Sequence, residues 1–430
     1  MKQNPDSYLL YEAGKFITYN FRLKFVMRQK VDAKALEMAA NTAFKRFPYY
    51  AKRISILKNG EIELVDNPLP ITVKQYSGKH PRMGTEEVNY HLFSIEYEGN
   101  DVYFNIYHGM CGGCGAMFFI KSTLWYYVRE AFGVETEIGD IKTADTPFVD
   151  GETDYPDLET LTDDEPLGSI KKDSVYIPAA DYVKQLVSMP FRDAKYYELE
   201  LETKDFMKYA RSNDGSPNSI LSALMFRAIC KVTSPKVAKA IRGNIICNYR
   251  ADVGCPNTYH DLVRMLSVYY PRELESKTTE YLSTVTRSMM YVQMQPEFSS
   301  KIMKSIYKSM DDVDNKKGLL NKKLFTLTHS QHVQPPFGTF IVSYVGKDEW
   351  YGLEEYIDRI HCITDGHLLL EVNALRDKFY LTFMELNGKH KFYDAFCEAM
   401  REENIHFKGL GSHERNLPYT ILPKKSKGKV

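Results

Sequence analysis

Three side chains capable of chemistry stand close together near residue 110. Residues 101–118 read DVYFNIYHGMCGGCGAMF, in which an alternating run ends at His108 and is followed by Cys111 and Cys114 among glycines. A histidine can accept and return a proton near neutral pH, and paired thiols can exchange disulfides or bind metal. This spacing admits three kinds of site: a redox dithiol, a metal site, or a general base in a substrate channel.

The two cysteines fit a redox pair in one respect. They lie between a predicted strand and a predicted helix, and a helix N-terminus favours a thiolate. The sequence around them does not have the size of a compact redox domain, and free cysteine is commonly buried as a small apolar residue. We therefore predict that Cys111 and Cys114 are reduced and pack beside the glycine turn.

A metal site at this place would need further ligands. His108, Cys111 and Cys114 offer three, whereas structural zinc usually takes four. The other pair at similar spacing is His329 and His332, in THSQHVQPP, and the remaining cysteines form no pairs. We predict no metal site and interpret the two later histidines as surface or hydrogen-bonded residues.

The elements that position His108 follow alternating and helical patterns in the first part of the chain. Periodicity and capping signals predict the following elements: a strand over 21–31, a helix from the cap Asp32 to Pro48, a hairpin over 54–65 around Asn59-Gly60, a strand ending near Tyr107, and a buried helix over 116–131. His108 therefore stands at a strand end, where a ring beside glycines can enter a cavity.

The same alternation of strands and helices returns after an acidic stretch. Residues 135–165 hold twelve acidic residues with little periodicity, which is typical of a solvated connector. Beyond it the patterns predict strands over 197–202, 244–251, 338–347, 367–373 and 378–386, with helices from 203, over 219–232, near 275–311 and over 389–405. We predict an α/β fold of two similar lobes, residues 1–165 and 166–430, each a mixed sheet with flanking helices.

Length and composition restrict the function classes. The 430 residues exceed one ordinary core, and 56 Lys+Arg against 56 Asp+Glu give zero net charge. That balance argues against bulk binding of nucleic acid or of anionic membranes. The N-terminus does not read as a signal peptide, no apolar run approaches ~18 residues, and seven scattered cysteines are not a disulfide framework. We expect a cytoplasmic, reduced protein without a membrane span.

The motif at His108 also resembles a known family. YHGMCGG is similar to the HHxxxDG motif of the chloramphenicol acetyltransferase-like superfamily, which includes alcohol acetyltransferases and nonribosomal-peptide condensation domains. Over most of its length the chain looks most like the bacterial alcohol-acetyltransferase-like branch. The segments that carry this resemblance are FRLKFVMRQKVDAKALEMAANTAFKRFPYYAKRI, YFNIYHGMCGGCGAMFFIKSTL, IICNYRADVG and GTFIVSYVGK.

The resemblance implies a fold, a reaction and roles for particular residues. It implies two pseudo-symmetric lobes with a substrate channel between them, and His108 as the general base. The reaction would move an acyl group, with acetyl expected, from acyl-CoA to a small alcohol or amine, with no permanently bound cofactor. Arg250 matches the family arginine that bridges to the motif aspartate, which makes it a structural residue.

The sequence departs from the motif at two positions. Tyr107 replaces the first histidine and Gly112 replaces the aspartate, whereas Gly113 matches. Arg250 must then meet another acid or water, and Asp252 is the nearest acid in sequence. We predict that the substrate site is lined by Tyr107, Gly112, Gly113, Ser343 and Tyr344, the last two as candidate oxyanion donors.

Two other functions stay open from the sequence. One is a non-catalytic relative that keeps the two-lobed shell as a binding or scaffold module, which the missing aspartate favours. The other is a free-standing condensation-type domain that takes its acyl group from a carrier protein. The absence of adjoining carrier and adenylation sequences argues against this second reading.

Overall fold

A computed structural model describes residues 5–13, 18–164, 194–333, 338–344, 346–366, 368–385 and 390–423. Some residues of the predicted elements fall outside these ranges, namely the end of the acidic connector and position 345 of the strand predicted over 338–347. The strands in the described ranges are β1 (Asn20–Met27), β2 (Lys52–Ile56), β3 (Ile62–Asp66), β4 (Val73–Gln75), β5 (Phe93–Glu98), β6 (Asp101–Tyr107), β7 (Lys195–Glu202), β8 (Ala240–Asn248), β9 (Val263–Pro271), β10 (Phe340–Ser343), β11 (Ile357–Thr364), β12 (Leu368–Leu375), β13 (Lys378–Glu385) and β14 (Lys408–Glu414).

The α-helices flank these strands in both halves. In the described ranges they are α1 (Ala33–Phe44), α2 (Gly113–Phe132), α3 (Thr203–Ser212), α4 (Pro217–Val232), α5 (Thr279–Gln293), α6 (Pro296–Asp314), α7 (Leu319–Val333) and α8 (Lys391–Glu402). A 3-10 helix, Pro5–Tyr11, precedes β1. None of the helices in the described ranges is long and apolar enough to cross a membrane.

The first sheet carries the strand that leads to His108. Its five strands are ordered β11-β1-β6-β5-β4, with β4 and β5 parallel and the other pairs antiparallel. Strand β11 comes from the second half of the chain and pairs with β1, so that Phe21 faces Thr364. The predicted boundary at residue 165 borders residues that the structure does not describe and stays a prediction, but the second half contributes at least this strand to the first sheet.

The second sheet has seven strands in the order β14-β7-β13-β12-β10-β8-β9. Strand β10 runs parallel to both of its neighbours, β8 and β12, whereas the remaining pairs are antiparallel. This register places Ser343 beside Glu371. Each half therefore contains a mixed sheet with helices against it, as the alternating pattern predicted.

Local sequence signals account for the elements around His108. Asp32 caps α1, because its Oδ1 accepts a hydrogen bond from the backbone N–H of Ala35 at 3.0 Å. Helix α2 buries residues on most of its faces and packs in the core of the first lobe, which explains its nearly continuous apolar sequence. It starts at Gly113, three residues earlier than predicted, so the glycines belong to its first turn.

Candidate active site

His108 lies where the two halves of the chain meet. It directly follows β6, and its backbone N–H donates to the carbonyl of Tyr19 at 2.7 Å. Its ring packs edge-on against Phe21, with the ring centroids 5.1 Å apart. The side chain keeps 36% of its accessible surface. The ring is therefore held on one side and open to a small molecule on another.

The second half supplies a carboxylate to this ring. Asp261 stands in the connection between β8 and β9, and its Oδ2 lies 3.1 Å from His108 Nδ1. In a neutral imidazole, the nitrogen that bears hydrogen donates and the other accepts. An Nδ1–H directed at Asp261 therefore leaves Nε2 as the proton acceptor.

The electrostatics of the pair favour its charged form. Burial on its own lowers the pKa of His108, but the negative charge and hydrogen bond of Asp261 outweigh burial and raise it above its ordinary value. Burial raises the pKa of Asp261, yet His108, Arg264 and Arg250 together hold that pKa below its usual range.

Asp261 occupies the space next to the vacant motif position. A Cβ built on Gly112 would lie 2.5 Å from Asp261 Oδ1, and one built on Gly115 would collide with the carbonyl oxygen of Tyr259. A side chain at 115 would push the backbone of the connection away from α2, and one at 112 would displace the Asp261 carboxylate. These two glycines thus permit the first turn of α2 to approach the segment 259–261 closely.

Arg250 holds the same connection from within. It is 4% exposed, and its guanidinium donates to the carbonyls of Thr258 at 2.9 Å and His260 at 2.5 Å. Its Nη1 donates to Asn248 Oδ1 at 3.2 Å. The acid nearest in sequence, Asp252, is exposed and lies 3.5 Å from Ser299 Oγ. Carbonyl and amide oxygens thus accept most of the hydrogen bonds that the Arg250 guanidinium can donate. Asp261 interacts with Arg250 through its negative charge.

A buried cluster of Asp6, Tyr155, Tyr259 and His260 packs against the other side of this connection. His260 Nδ1 lies 2.9 Å from Asp6 Oδ1, and the ring of His260 stacks on Tyr155 at 3.9 Å. Tyr259 also donates to Asp6, at 3.1 Å. Asp6 is itself 4% exposed. The segment that carries Asp261 is therefore fixed on both sides, by Arg250 and by the N-terminal 3-10 helix.

The closing strand β10 brings a second carboxyl group into the neighbourhood. Ser343 hydrogen-bonds to Glu371, whose charge interacts with His108. Burial raises the pKa of Glu371 to about 7, against the opposing effects of Ser343 and His108. The predicted donor Ser343 thus lies on the His108 side of the sheet. Tyr344 instead packs its ring against Phe379 in the core of the second lobe, 5.4 Å between centroids.

The motif neighbours of His108 fall into two groups. Tyr107 is fully buried and donates to the carbonyl of Asp6 at 3.0 Å. Tyr107 therefore lies in the wall rather than in contact with substrate, whereas Tyr344 is partly exposed and its contact with substrate stays a prediction. Gly113 is exposed, with open space beside its Cα, whereas Gly112 is buried under Asp261. Of the two glycines at motif positions, Gly113 borders open space and Gly112 does not.

Burial determines the state of the two motif thiols. Cys111 and Cys114 are free, and burial raises the pKa of both thiols, which favours their neutral form. Within the described ranges, no three His, Cys, Asp or Glu side chains could hold a metal ion together. The side chains of His329 and His332 lie outside the described residues.

Sequence reasoning missed Asp261 and Glu371. Each has a weak signal: Asp261 lies two residues before the first residue of β9, and Glu371 is the single acidic residue in the apolar run HLLLEVN. A charged residue inside an otherwise buried strand commonly has a functional or structural partner. The strand β9 was not predicted, so nothing indicated that Asp261 would point back at His108.

Comparisons with known proteins detect this architecture only through structure. The sequence matches no family model, and no curated protein matches it. Among solved structures, polyketide synthase associated protein 5 from Mycobacterium tuberculosis is 12% identical, with 92% of this chain and 96% of that chain covered and a TM-score of 0.57. TRI101 of F. graminearum, solved with coenzyme A and deoxynivalenol, is 11% identical, with 94% and 98% covered and a TM-score of 0.58.

A third solved structure shows the same similarity. TRI3, the trichothecene 15-O-acetyltransferase from Fusarium sporotrichioides, is 9% identical, with 93% of this chain and 94% of that chain covered and a TM-score of 0.56. Similarity at this level of identity concerns the fold. The chain therefore shares its α/β fold with these three structures, in agreement with the fold that the resemblance at His108 predicted.

Proposed function

We propose that this protein is a CoA-dependent acyltransferase that uses His108 as its general base. The acyl group, with acetyl expected, passes from the CoA thioester to a small alcohol or amine. One observation carries the proposal: a half-exposed imidazole at the junction of the two halves has its Nδ1 engaged by a carboxylate at 3.1 Å. The fold shared with proteins solved with coenzyme A supports the choice of donor.

The reaction needs one proton acceptor and no covalent enzyme intermediate. His108 Nε2 takes the proton from the acceptor hydroxyl or amine while its oxygen or nitrogen attacks the thioester carbonyl carbon. The resulting oxyanion collapses, the carbon–sulfur bond breaks, and the CoA thiolate receives the proton from the imidazolium. Ser343 is our candidate oxyanion donor, because it lies on the same side of the sheet as His108.

The scaffold alternative rested on the missing motif aspartate. A carboxylate next to Gly112, in contact with His108, weakens that argument, since the chemical group is present although its sequence position differs. A carrier protein as acyl donor stays an alternative, and replacing free CoA thioesters by acyl-carrier thioesters in the assay would distinguish the two donors.

The test compares wild type with His108→Ala and His108→Gln. We expect thiol release from acetyl-CoA, measured with a panel of alcohols and amines, to fall by ~10²–10⁴-fold in both variants. Glutamine donates and accepts hydrogen bonds but cannot titrate, so it separates proton transfer from simple binding. Wild-type rates in either variant, with unchanged circular dichroism, would contradict the role of His108.

A further inference from the structure

The carboxylate beside His108 comes from a position that the motif does not contain. Gly112 stands where the motif has its aspartate, and Asp261 reaches this place from the connection between β8 and β9. The two positions are 149 residues apart in sequence, but a Cβ on Gly112 would lie 2.5 Å from Asp261 Oδ1. One side chain at most can fill this volume.

We propose that Asp261 is a positioning residue for His108, a carboxylate supplied by the second lobe in place of the one that Gly112 lacks. The inference rests on the proposed function, because it assigns a role within the same site. Asp261 does not touch the reacting atoms. It holds the hydrogen on Nδ1, so that Nε2 faces the acceptor unprotonated, and it stabilises the imidazolium formed during transfer.

The surroundings of Asp261 are arranged to keep it ionised and in place. Arg250 and Arg264 both attract its charge, and the backbone N–H of Val263 donates to Asp261 Oδ1 at 3.3 Å. Arg250 binds the carbonyls of Thr258 and His260, the residues directly before Asp261. The arginine therefore fixes the segment that carries Asp261, and this segment is the part of the second half that meets the turn at Gly112.

Other charged groups also face the pair and must be separated from its effect. Glu371 interacts with His108 from β12, and the neutral thiols Cys111 and Cys114 lie near Asp261. His108 also hydrogen-bonds to its own backbone carbonyl. That carbonyl could orient the ring without Asp261, but it carries no charge. A titration therefore distinguishes a carboxylate that acts on His108 from one that only packs beside it.

The experiment uses the full chain and needs no knowledge of the acceptor. Histidine labelled with ¹⁵N is titrated by NMR in wild type and Asp261→Asn, with His108→Gln assigning the resonance. We expect the pKa of His108 in wild type to lie above its ordinary value, and the neutral ring to carry its hydrogen on Nδ1. Asp261→Asn should lower that pKa. Asp252→Asn is the matched control, since Asp252 is exposed in the same connection and should leave the titration unchanged.

Activity supplies the second readout. Asp261→Asn should lower acyl transfer at neutral pH by on the order of 10²-fold and move the acid limb of kcat/KM to lower pH. Because the volume is shared, Gly112→Asp combined with Asp261→Gly should be more active than Asp261→Gly alone. A His108 pKa unchanged by Asp261→Asn, or a double variant no better than Asp261→Gly, would overturn the proposal. If the NMR shift occurs but wild type transfers no acyl group, the proposed function fails and the positioning role stands.

Discussion

Replacing Arg250 by methionine tests whether its hydrogen bonds hold the segment that carries Asp261. The side chain is 4% exposed and donates to two backbone carbonyls, at 2.9 Å and 2.5 Å, and to an amide oxygen at 3.2 Å. A hydrogen bond from a charged donor contributes roughly 1.5–3 kcal/mol, so the two carbonyl contacts sum to roughly 3–6 kcal/mol. Methionine removes the cost of burying a charge, which offsets part of this sum. We expect Arg250→Met to lower the free energy of unfolding by about 2–4 kcal/mol.

The measurement is equilibrium unfolding in urea, followed by circular dichroism. Arg250→Lys should give an intermediate loss, because an ammonium cannot serve both carbonyls in the fork geometry of a guanidinium. Arg287→Met is the control: Arg287 pairs with Asp214 on the surface and both side chains are about half exposed, so its loss should be under about 1 kcal/mol. If Arg250→Met unfolds within about 1 kcal/mol of wild type, these contacts do not hold the connection and our account of Arg250 is wrong.

Three further predictions concern residues around His108. Cys111→Ala and Cys114→Ala should each leave acyl transfer within a few-fold of wild type, because both thiols are neutral; stoichiometric zinc by elemental analysis, or abolished transfer in a folded variant, would contradict this. Glu371→Gln removes a carboxyl group near His108 whose pKa of about 7 leaves it only partly ionised, so the acid limb of kcat/KM should move to lower pH by less than in Asp261→Asn; an upward shift in the pH–rate profile would refute the sign. Gly112→Asp alone should destabilise the protein by roughly 1–3 kcal/mol through overpacking against Asp261, whereas Gly113→Ala, which borders open space, should not; equal unfolding midpoints for the two variants would count against the packing argument.

The prediction for Gly112→Asp differs from what the family motif implies. In the motif, an aspartate at this position bridges to the arginine that Arg250 matches, so restoring it would be stabilising. In the structure, Arg250 already has oxygen partners and the vacant volume is filled by Asp261. The sequence showed that a carboxylate was missing from the motif but could not show that another one occupied its place.

Local signals predicted the elements that depend on local interactions. The cap at Asp32, the hairpin around Asn59-Gly60, the strand ending at Tyr107 and the buried α2 were all found where their patterns placed them. Their causes act within a few residues: a side-chain cap, a turn, an alternating face. The strand before Arg250 was placed too far, since β8 ends at Asn248 and the chain turns there.

Elements that depend on distant partners were missed. Strand β11 joins the first sheet through pairing with β1, more than 300 residues away, and it carries the buried polar His361. Strand β14, with the sequence KGLGSHE, is largely exposed and owes its form to pairing with β7. Neither has an apolar alternation of its own, so the partner strand decides the conformation. The same non-local cause hides Asp261, whose function depends on where β9 begins.

Each glycine of CGGCG has a different structural environment. Gly112 leaves room for the Asp261 carboxylate, Gly115 leaves room for the backbone of Tyr259, and Gly113 faces open space. An aspartate at 112 would take the place of the Asp261 carboxylate. Either that carboxylate or the whole segment 259–261, which packs closely on Gly115, would then have to move away from α2. The change at 112 and the carboxylate at 261 are thus two parts of one arrangement. In the proposed mechanism His108 receives its carboxylate from the second half of the chain, so whatever separates the two halves should also remove that carboxylate from His108.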